Sequence, residues 1–348
     1  MTDYLTPSTH DSVNELAHPL TEKLLEISHL RTYFFTEAGV VKALDGMSLE
    51  VNKGQAVGLV GESGSGKSVT AQSVLRIVPR PGRIVDGSIK FEGEDLLSKS
   101  DDDMRKLRGP KMAIVFQDPT TSLNPVFTVE RQLTDILMLH RDLTKEAASK
   151  RALSLLEHVG IQEPEKRLKA YPHELSGGMK QRIAIARALS CEPVLLFADE
   201  PTTNLDVTIQ AQVLELLKQL QKELNMTMVM ITHDMGIIAD MTERVTVLYA
   251  GKVMEVADTP TLFRSPKHPY TEALLKAVPS VKQTRALEVI PGNIPNLIEP
   301  PSGCVFNPRC KYAKDICMKQ EPPLEKAEEG HYVACHFWRE LKLEGRAG

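Results

Sequence analysis

Short apolar runs alternate with helix-compatible stretches along most of the chain. The run Ala56–Val60 ends at a glycine and precedes a helical pattern over residues 67–77, which is typical of a buried parallel strand and its following helix. Further strands are predicted over residues 112–116, 194–198 and 227–231, and a hairpin over 245–256. Strands that alternate with helices predict an α/β core with a mainly parallel sheet.

Two stretches depart from this alternation. Residues 24–51 have the extended pattern of successive strands, which predicts an N-terminal antiparallel β layer. Residues 79–87 predict a loop before a short strand at 88–91. Residues of about 118–178 are mostly helical and form a predicted insertion, with helices over 129–140, 144–159 and 163–170.

The two ends of the chain differ from the core domain, which we predict over residues 24–265. Residues 1–23 lack periodicity and predict a flexible extension, or alternatively a short capping element. Residues 266–348 are rich in proline and predict an irregular appendage that does not continue the sheet.

Composition narrows the functional classes. With 42% hydrophobic and 25% charged residues, the 348-residue chain has the composition of an ordinary folded protein. A net charge of −4 gives no basic excess, so nucleic acid is not expected as a partner. Apolar runs are far shorter than the ~20 residues that span a bilayer, and the N-terminus does not resemble a signal peptide. We therefore expect a cytosolic chain that needs separate partners for any membrane work.

The strongest motif is the glycine-rich segment 61–68, which matches G-x-x-x-x-G-K-[ST] between a predicted strand and helix. Its glycines let backbone N–H groups surround phosphates, and the helix adds its positive end. Lys67 should reach the β- and γ-phosphates, and the Ser68 hydroxyl should coordinate Mg²⁺. The predicted nucleotide-binding residues here are Gly61, Ser63, Gly64, Gly66, Lys67 and Ser68.

Two acidic residues follow the apolar run at 194–198. Asp199 and Glu200 would lie at the carboxyl edge of a parallel sheet, where such sheets bind ligands. We expect Asp199 to hold Mg²⁺ through water and Glu200 to act as the general base for the attacking water.

Residues 175–178 read Leu-Ser-Gly-Gly, which resembles the signature sequence of the ATP-binding-cassette ATPases. Ser176 can cap the next helix, and Gly177 and Gly178 let backbone N–H groups approach an anion. The resemblance implies a P-loop NTPase core whose signature segment faces the γ-phosphate bound by a second subunit.

The same resemblance implies roles for further residues. Gln117 resembles the glutamine that contacts Mg²⁺ and joins the core to the insertion, His233 the switch histidine at the γ-phosphate, and Asp206 the loop at the dimer interface. Asn204 departs from the family, which usually has a small residue there. An aromatic side chain of residues 33–35 should stack on adenine, and alternation favours Phe34, with packing in the β layer as the alternative.

The C-terminal third points to a narrower group. Residues 258–275 and 291–310 are similar to the region after the cassette in oligopeptide and dipeptide importers of the peptide/nickel group. The resemblance implies an ATPase at the cytoplasmic face of the membrane that powers peptide uptake. It also implies a related second ATPase subunit in a heterodimer, two permease subunits and an extracytoplasmic substrate-binding protein.

Other functions stay open at this point. Nickel or oligosaccharide is an alternative cargo. The alternatives from other classes are a soluble cassette ATPase that acts on DNA or ribosomes, and a subunit that binds ATP without turnover, although Glu200 and His233 argue against the latter.

Four of the five cysteines, spaced C-x5-C-x6-C-x17-C, lie in the appendage: Cys304, Cys310, Cys317 and Cys335. Four thiolates can hold a [4Fe-4S] cluster or Zn²⁺. The absence of paired C-x2-C motifs favours iron–sulfur, as does the resemblance, since some members of the group carry a four-iron cluster. His331 and His336 leave a mixed zinc site open, and four unliganded thiols are the remaining alternative.

Overall fold

Two β-sheets form the framework of the protein in the computed structural model, which describes residues 22–278 and 290–346. The predicted extension lies outside these ranges except for its last two residues, and Lys23 already begins a strand. In these ranges, no helix is long and apolar enough to cross a membrane.

Strands and helices alternate through the middle of the chain, as the sequence predicts. The described strands are β1 Lys23–Thr36, β2 Gly39–Asn52, β3 Ala56–Val60, β4 Gly82–Phe91, β5 Glu94–Asp95, β6 Met112–Val115, β7 Leu195–Asp199, β8 Thr227–Thr232, β9 Arg244–Tyr249, β10 Lys252–Asp258, β11 Glu325–Glu328 and β12 His331–Val333. The described α-helices are α1 Lys67–Val74, α2 Asp101–Leu107, α3 Pro119–Ser122, α4 Val129–Arg141, α5 Lys145–His158, α6 Pro164–Leu168, α7 Gly177–Leu189, α8 Val207–Glu223, α9 Met235–Met241, α10 Thr259–Arg264, α11 Pro269–Lys276 and α12 Asp315–Lys319.

The larger sheet has the strand order β11-β12-β10-β9-β3-β8-β7-β6. Strands β6, β7, β8, β3 and β9 pair in parallel, whereas β10, β12 and β11 pair antiparallel at one edge. The parallel centre confirms the predicted α/β core, and the antiparallel edge makes the sheet mixed.

The central strands are buried on both faces because each face packs against a different layer. Val57 and Leu59 of β3 point into a core shared with the smaller sheet and α1, whereas Val60 packs in a core with the helices on the other side. Side chains alternate across a strand, so these short apolar runs supply both cores at once.

The smaller sheet confirms the predicted antiparallel layer, in the order β2-β1-β4-β5. The predicted loop over residues 79–87 is wrong in its second half, because β4 begins at Gly82. Residues there pair with β1, for example Arg83 with Tyr33. The two prolines of the segment precede the strand and therefore leave its hydrogen bonds intact.

The insertion lies between β6 and β7 and contains α3 to α6, as its predicted helical pattern requires. Thr128 and Thr144 cap the two long helices by accepting backbone N–H groups in their first turns. The predicted helix over residues 163–170 is shorter, because α6 ends at Leu168.

The C-terminal region corrects one prediction. Residues 290–323 are irregular apart from α12 and a short turn, but β12 then pairs with β10 and continues the larger sheet. Glu255 lies opposite Val333 in this pairing. Its Oε1 is 2.7 Å from Nε2 of the buried His331, which is hydrogen-bonding distance. Strands of three or four residues are too short to show a period, so the sequence pattern missed them.

Candidate functional site

The phosphate loop joins β3 to α1 and packs against the turn after β9. Gly61 has φ 157° and lies so close to the backbone that a Cβ atom would be 2.1 Å from the Leu248 carbonyl oxygen. Only glycine therefore fits this position. Ser63 and Gly64 are exposed at the tip, whereas Gly66 is buried at the start of the helix.

Lys67 is buried inside the loop that it closes. Its Nζ donates to the carbonyl oxygens of Gly61 at 2.7 Å and Glu62 at 2.9 Å. Burial lowers the pKa of Lys67, while the negative charges of Glu200 and Asp199 act in the opposite direction. Its hydrogen bonds go to neutral carbonyls, so a phosphate group would offer this cation a stronger, charge-assisted partner.

Ser68 and Asp199 meet although they are far apart in the chain. The Ser68 hydroxyl donates to Asp199 Oδ1 at 2.9 Å. Burial raises the pKa of Asp199, and the hydrogen bond from Ser68 and the charge of Lys67 offset part of that effect. Adjacent hydroxyl and carboxylate oxygens are the donors that Mg²⁺ prefers, so the residues fit this ion.

Glu200 is the centre of a hydrogen-bonded group. Its carboxylate accepts from Gln117 Nε2 at 3.0 Å and from the Thr203 hydroxyl at 2.9 Å, and lies 3.1 Å from His233 Nδ1. Glu200 also has a left-handed φ of 46°, a strained backbone that is often found at functional sites. The surrounding contacts hold its carboxylate in one orientation.

Sheet topology explains why these residues converge. Gln117 follows β6, Glu200 follows β7 and His233 follows β8, while the phosphate loop follows β3. These four strands are parallel neighbours in the larger sheet, so their carboxyl ends share one edge. The structure therefore brings together the predicted phosphate-loop, acidic, glutamine and histidine residues.

The signature segment lies at the start of α7. Ser176 caps this helix by accepting the backbone N–H of Met179 at 3.3 Å, which confirms the predicted cap. The helix begins at Gly177, immediately after this cap. A Cβ atom on Gly178 would lie 2.8 Å from the side chain of Ile209 in α8, so glycine allows the close approach of the two helices without a shift of that side chain.

The loop before α8 has two local roles in this chain. Asp206 caps α8 by accepting the N–H of Ile209 at 3.0 Å. Asn204 has a left-handed φ of 68°, which asparagine tolerates better than most residues. This backbone conformation accounts for asparagine at the position where the family usually has a small residue.

Phe34 lies on the side of β1 that faces α1. Thr32 hydrogen-bonds Ser73 of α1 at 2.9 Å, and alternation places Phe34 on the same face. Tyr33 points the other way and donates to Asp45 at 2.8 Å, while Arg83 lies over the ring of Phe35. Phe34 is therefore the residue of the three that shares a face with the helix after the phosphate loop.

The four C-terminal cysteines line one cavity with His268 and Phe306. Burial raises the pKa of Cys304 to about 12 and that of Cys335 to about 11, so both are thiols at neutral pH unless a cation lies beside them. Within residues 22–278 and 290–346, no group of three or more His, Cys, Asp or Glu side chains is arranged to hold a metal ion.

The two histidines near these cysteines have other partners. His331 Nε2 is 2.7 Å from Glu255 Oε1 of the neighbouring strand β10, and His336 Nε2 is 2.9 Å from the carbonyl oxygen of Gln320. His336 nevertheless lines the same cavity as the four cysteines, and His331 Nδ1 is buried without a hydrogen-bond partner among the described residues, so the mixed zinc site stays a prediction.

Sequence reasoning missed two residues beside the phosphate loop. Arg309 from the C-terminal region forms a two-pronged ion pair with Glu62, and the Tyr270 hydroxyl accepts the N–H of Glu62. A glutamate inside a loop that binds phosphates needs a nearby cation to balance its charge. Glu62 was therefore a signal to look for a basic partner elsewhere in the chain.

Comparison with known proteins gives a consistent result. The ABC transporter family matches residues 44–203, and the family described as the oligopeptide/dipeptide transporter C-terminal region matches residues 254–317. The chain is 48% identical over 314 residues to the oligopeptide transport ATP-binding protein OppD of Bacillus subtilis, which covers 89% of this chain and 88% of that protein. It is 45% identical over 315 residues to the dipeptide transport ATP-binding protein DppD of Escherichia coli, which covers 90% and 96% respectively.

A solved structure agrees with the fold. The ATP-binding cassette MJ0796, in a dimeric post-hydrolysis state bound to ADP and Pi, superimposes with a TM-score of 0.61 at 28% identity. The match covers 68% of this chain and 99% of that one.

Proposed function

The chain belongs to the ATP-binding subunits of ABC transporters, and from that premise we propose that it hydrolyses ATP to power the uptake of di- and oligopeptides. The observation that carries the proposal is the convergence of Ser68, Asp199 and Glu200 in a chain that also has the oligopeptide/dipeptide C-terminal region. The convergence supports hydrolysis, and the C-terminal region supports peptide as the cargo.

In the proposed mechanism, the loop N–H groups and Lys67 bind the β- and γ-phosphates of ATP, and Phe34 stacks on adenine. Ser68, Asp199 and Gln117 would hold Mg²⁺, which would neutralise phosphate charge when bound. Glu200 takes a proton from the attacking water, because its carboxylate is the acceptor that Gln117 and His233 orient. His233 is half exposed and can turn towards the γ-phosphate.

The site is completed by a second ATPase subunit, which we propose is a related but different chain. Ser176, Gly177 and Gly178 of one subunit would face the γ-phosphate bound by the other, with the loop around Asp206 at the interface. Ser176 and Gly177 are exposed at the positive end of α7, which supports contact with an anion on another chain.

One of the two permease subunits would dock on the groove between the core and the insertion, and the other would dock on the second ATPase subunit. This groove, of about 550 Å³, is lined by apolar residues such as Ile77, Phe116 and Ile136 together with Arg187. Phe116 lines the groove and immediately precedes Gln117, whose side chain hydrogen-bonds the proposed base Glu200. A partner in the groove would therefore lie one residue along the chain from a residue that orients the base. A substrate-binding protein outside the membrane would supply the peptide, and this chain would lie at the cytoplasmic face.

We also propose residues 24–265 as the cassette domain, with its helical part at about 118–178, and residues 266–348 as the importer-specific region. The change from the ABC transporter family match, which ends at residue 203, to the C-terminal-region match, which begins at residue 254, supports a division of this kind.

Peptide transport is tested with the chain assembled with its permeases and second ATPase subunit. ATP hydrolysis in liposomes is expected to rise several-fold with peptide-loaded binding protein, and labelled dipeptide should enter the liposomes. Nickel or an oligosaccharide in place of peptide should give neither effect. Stimulation by one of these instead, or co-purification with ribosomes rather than permeases, would contradict the proposal.

We propose that the four-cysteine cavity holds a [4Fe-4S] cluster. Four thiols on one cavity fit the ligand set of such a cluster, and its cationic irons would keep buried thiolates ionised against their raised pKa values. Zinc bound by the same four sulfurs is the alternative, which the metal content distinguishes. The cluster would tie residues 304–335 together.

Anaerobically purified protein is therefore expected to be brown, to absorb broadly near ~400 nm and to contain about four irons per chain. Cys310→Ala should lose most of this iron and absorbance. Cys191→Ala is the matched control, because Cys191 is buried at the end of α7, away from the cavity. Colourless protein with one zinc or no metal per chain would refute the cluster and leave the ATPase proposal unaffected.

A further inference from the structure

Arg309 reaches from the C-terminal region into the phosphate loop. Its Nη1 donates to Glu62 Oε2 at 2.6 Å and its Nη2 to Glu62 Oε1 at 3.0 Å, in the two-pronged geometry that makes arginine–carboxylate pairs strong. The Arg309 side chain is 5% exposed and that of Glu62 28%. The pair is thus largely shielded from water, unlike a typical surface ion pair.

The Arg309 side chain is held by several other groups. Its Nε donates to the Pro291 carbonyl at 2.8 Å, Nη2 to the Ile290 carbonyl at 3.3 Å, and Nη1 to the Tyr249 hydroxyl at 3.2 Å. Because every nitrogen of the guanidinium has a partner, the group stays in one orientation. Arg309 therefore acts as a fixed point against which Glu62 is held.

Glu62 is bound at its backbone as well. Its N–H donates to the Tyr270 hydroxyl at 2.9 Å, and Tyr270 is fully buried in α11. Its carbonyl oxygen accepts from the Ser65 N–H at 3.2 Å and from Lys67 Nζ at 2.9 Å. The residue that sets the turn of the loop and receives the lysine is thus held by two residues outside the cassette.

Charge adds to this geometry. Glu62 is close enough to Lys67 to interact with it electrostatically, so an uncompensated carboxylate there would also repel bound phosphates. Burial alone would lower the pKa of Arg309. Its hydrogen bonds to Glu62 and Tyr249 outweigh this effect and raise the pKa above its ordinary value, so the side chain stays charged. Arg309 cancels the negative charge that the loop carries.

We propose that Arg309 and Tyr270 are positioning residues for ATP binding, which hold Glu62 and thereby the first half of the phosphate loop. This inference rests on the proposed ATPase function and adds a role for the C-terminal region in it. The segment that provides Arg309 also carries Cys304 and Cys310.

The test measures the dissociation constant of MgATP for the full chain by calorimetry, and KM and kcat in the assembled transporter. Arg309→Met and Tyr270→Phe are expected to raise the dissociation constant and KM, by about tenfold for Arg309→Met, with little change in kcat. Tyr312→Phe is the matched control, because that hydroxyl bonds Glu272 and not the loop, and it should bind ATP like the wild type.

A double-mutant cycle separates a coupled pair from general damage. If Arg309 acts through Glu62, the loss in Arg309→Met combined with Glu62→Gln should be smaller than the sum of the two single losses. Additive losses, or wild-type affinity in folded Arg309→Met and Tyr270→Phe chains, would overturn the inference. If Arg309→Met does not fold, Tyr270→Phe decides alone.

The wild-type chain keeps this test separate from the proposed function. A wild type that does not bind MgATP would refute the proposed function itself. A wild type that binds MgATP while Arg309→Met and Tyr270→Phe bind it equally well refutes the positioning role and nothing else.

Discussion

Glu200→Gln is expected to lower ATP hydrolysis by the assembled transporter at least about 100-fold while ATP still binds, because general-base catalysis contributes that much or more. Glutamine keeps the size of the side chain and can still accept from Gln117, but it cannot take a proton from water. Contacts of the phosphate loop and Ser68 persist, so the ATP-bound dimer should accumulate. Single-turnover hydrolysis and gel filtration with ATP measure both effects.

Glu223→Gln provides the matched control. Glu223 also pairs with a histidine, with 3.2 Å between its Oε2 and His158 Nε2, but this pair lies on the surface between α5 and α8. The control should hydrolyse ATP at the wild-type rate. Equal rates of ATP hydrolysis for Glu200→Gln and the wild type in the assembled transporter would contradict the assignment of Glu200 as the base. The rate of the isolated chain, which lacks its partner subunit, does not bear on this test.

Lys67→Ala is expected to weaken ATP binding on the order of 100-fold, the loss of one or two hydrogen bonds between charged groups. The reason lies in the position of Lys67, which is a buried cation whose present partners are the loop carbonyls. Direct binding of MgATP to the full chain, measured as a dissociation constant, checks the effect. Hydrolysis should fall with binding.

Lys218→Ala tests whether a lost surface lysine has any such effect. Lys218 pairs with Asp240 at 2.7 Å outside the site, so its removal should leave the dissociation constant unchanged. Full affinity in Lys67→Ala together with lost hydrolysis would show that the lysine acts only in the transition state, which contradicts the binding role.

The phosphate loop and the acidic pair were predictable because their chemistry is contained in contiguous residues. Residues 61–68 form the loop between an apolar strand and a helix, and Asp199 and Glu200 stand at the end of another apolar strand. Each prediction needs only local pattern and the rule that parallel strands end at one edge. Gln117 and His233 required the resemblance to a family, since one glutamine or histidine after a strand has no specific meaning by itself.

Two local predictions failed for the same physical reason. Residues 82–87 and β12 are strands because a distant partner, β1 in one case and β10 in the other, satisfies their backbone groups. Short strands rich in charged residues, such as β11, have no apolar period that a sequence reveals. Propensity is a weak guide where pairing with another part of the chain decides the conformation.

The sequence by itself determined the P-loop core, the parallel strands and the residues predicted to contact phosphate. Tertiary structure alone decided the environment of Glu62, which is paired with Arg309 across 247 positions of the chain. It alone also decided that four cysteines spread over 304–335 share one cavity. Local patterns encode burial and period, whereas an ion pair or a shared cavity depends on how distant segments pack, because packing brings together side chains that have no relation in sequence.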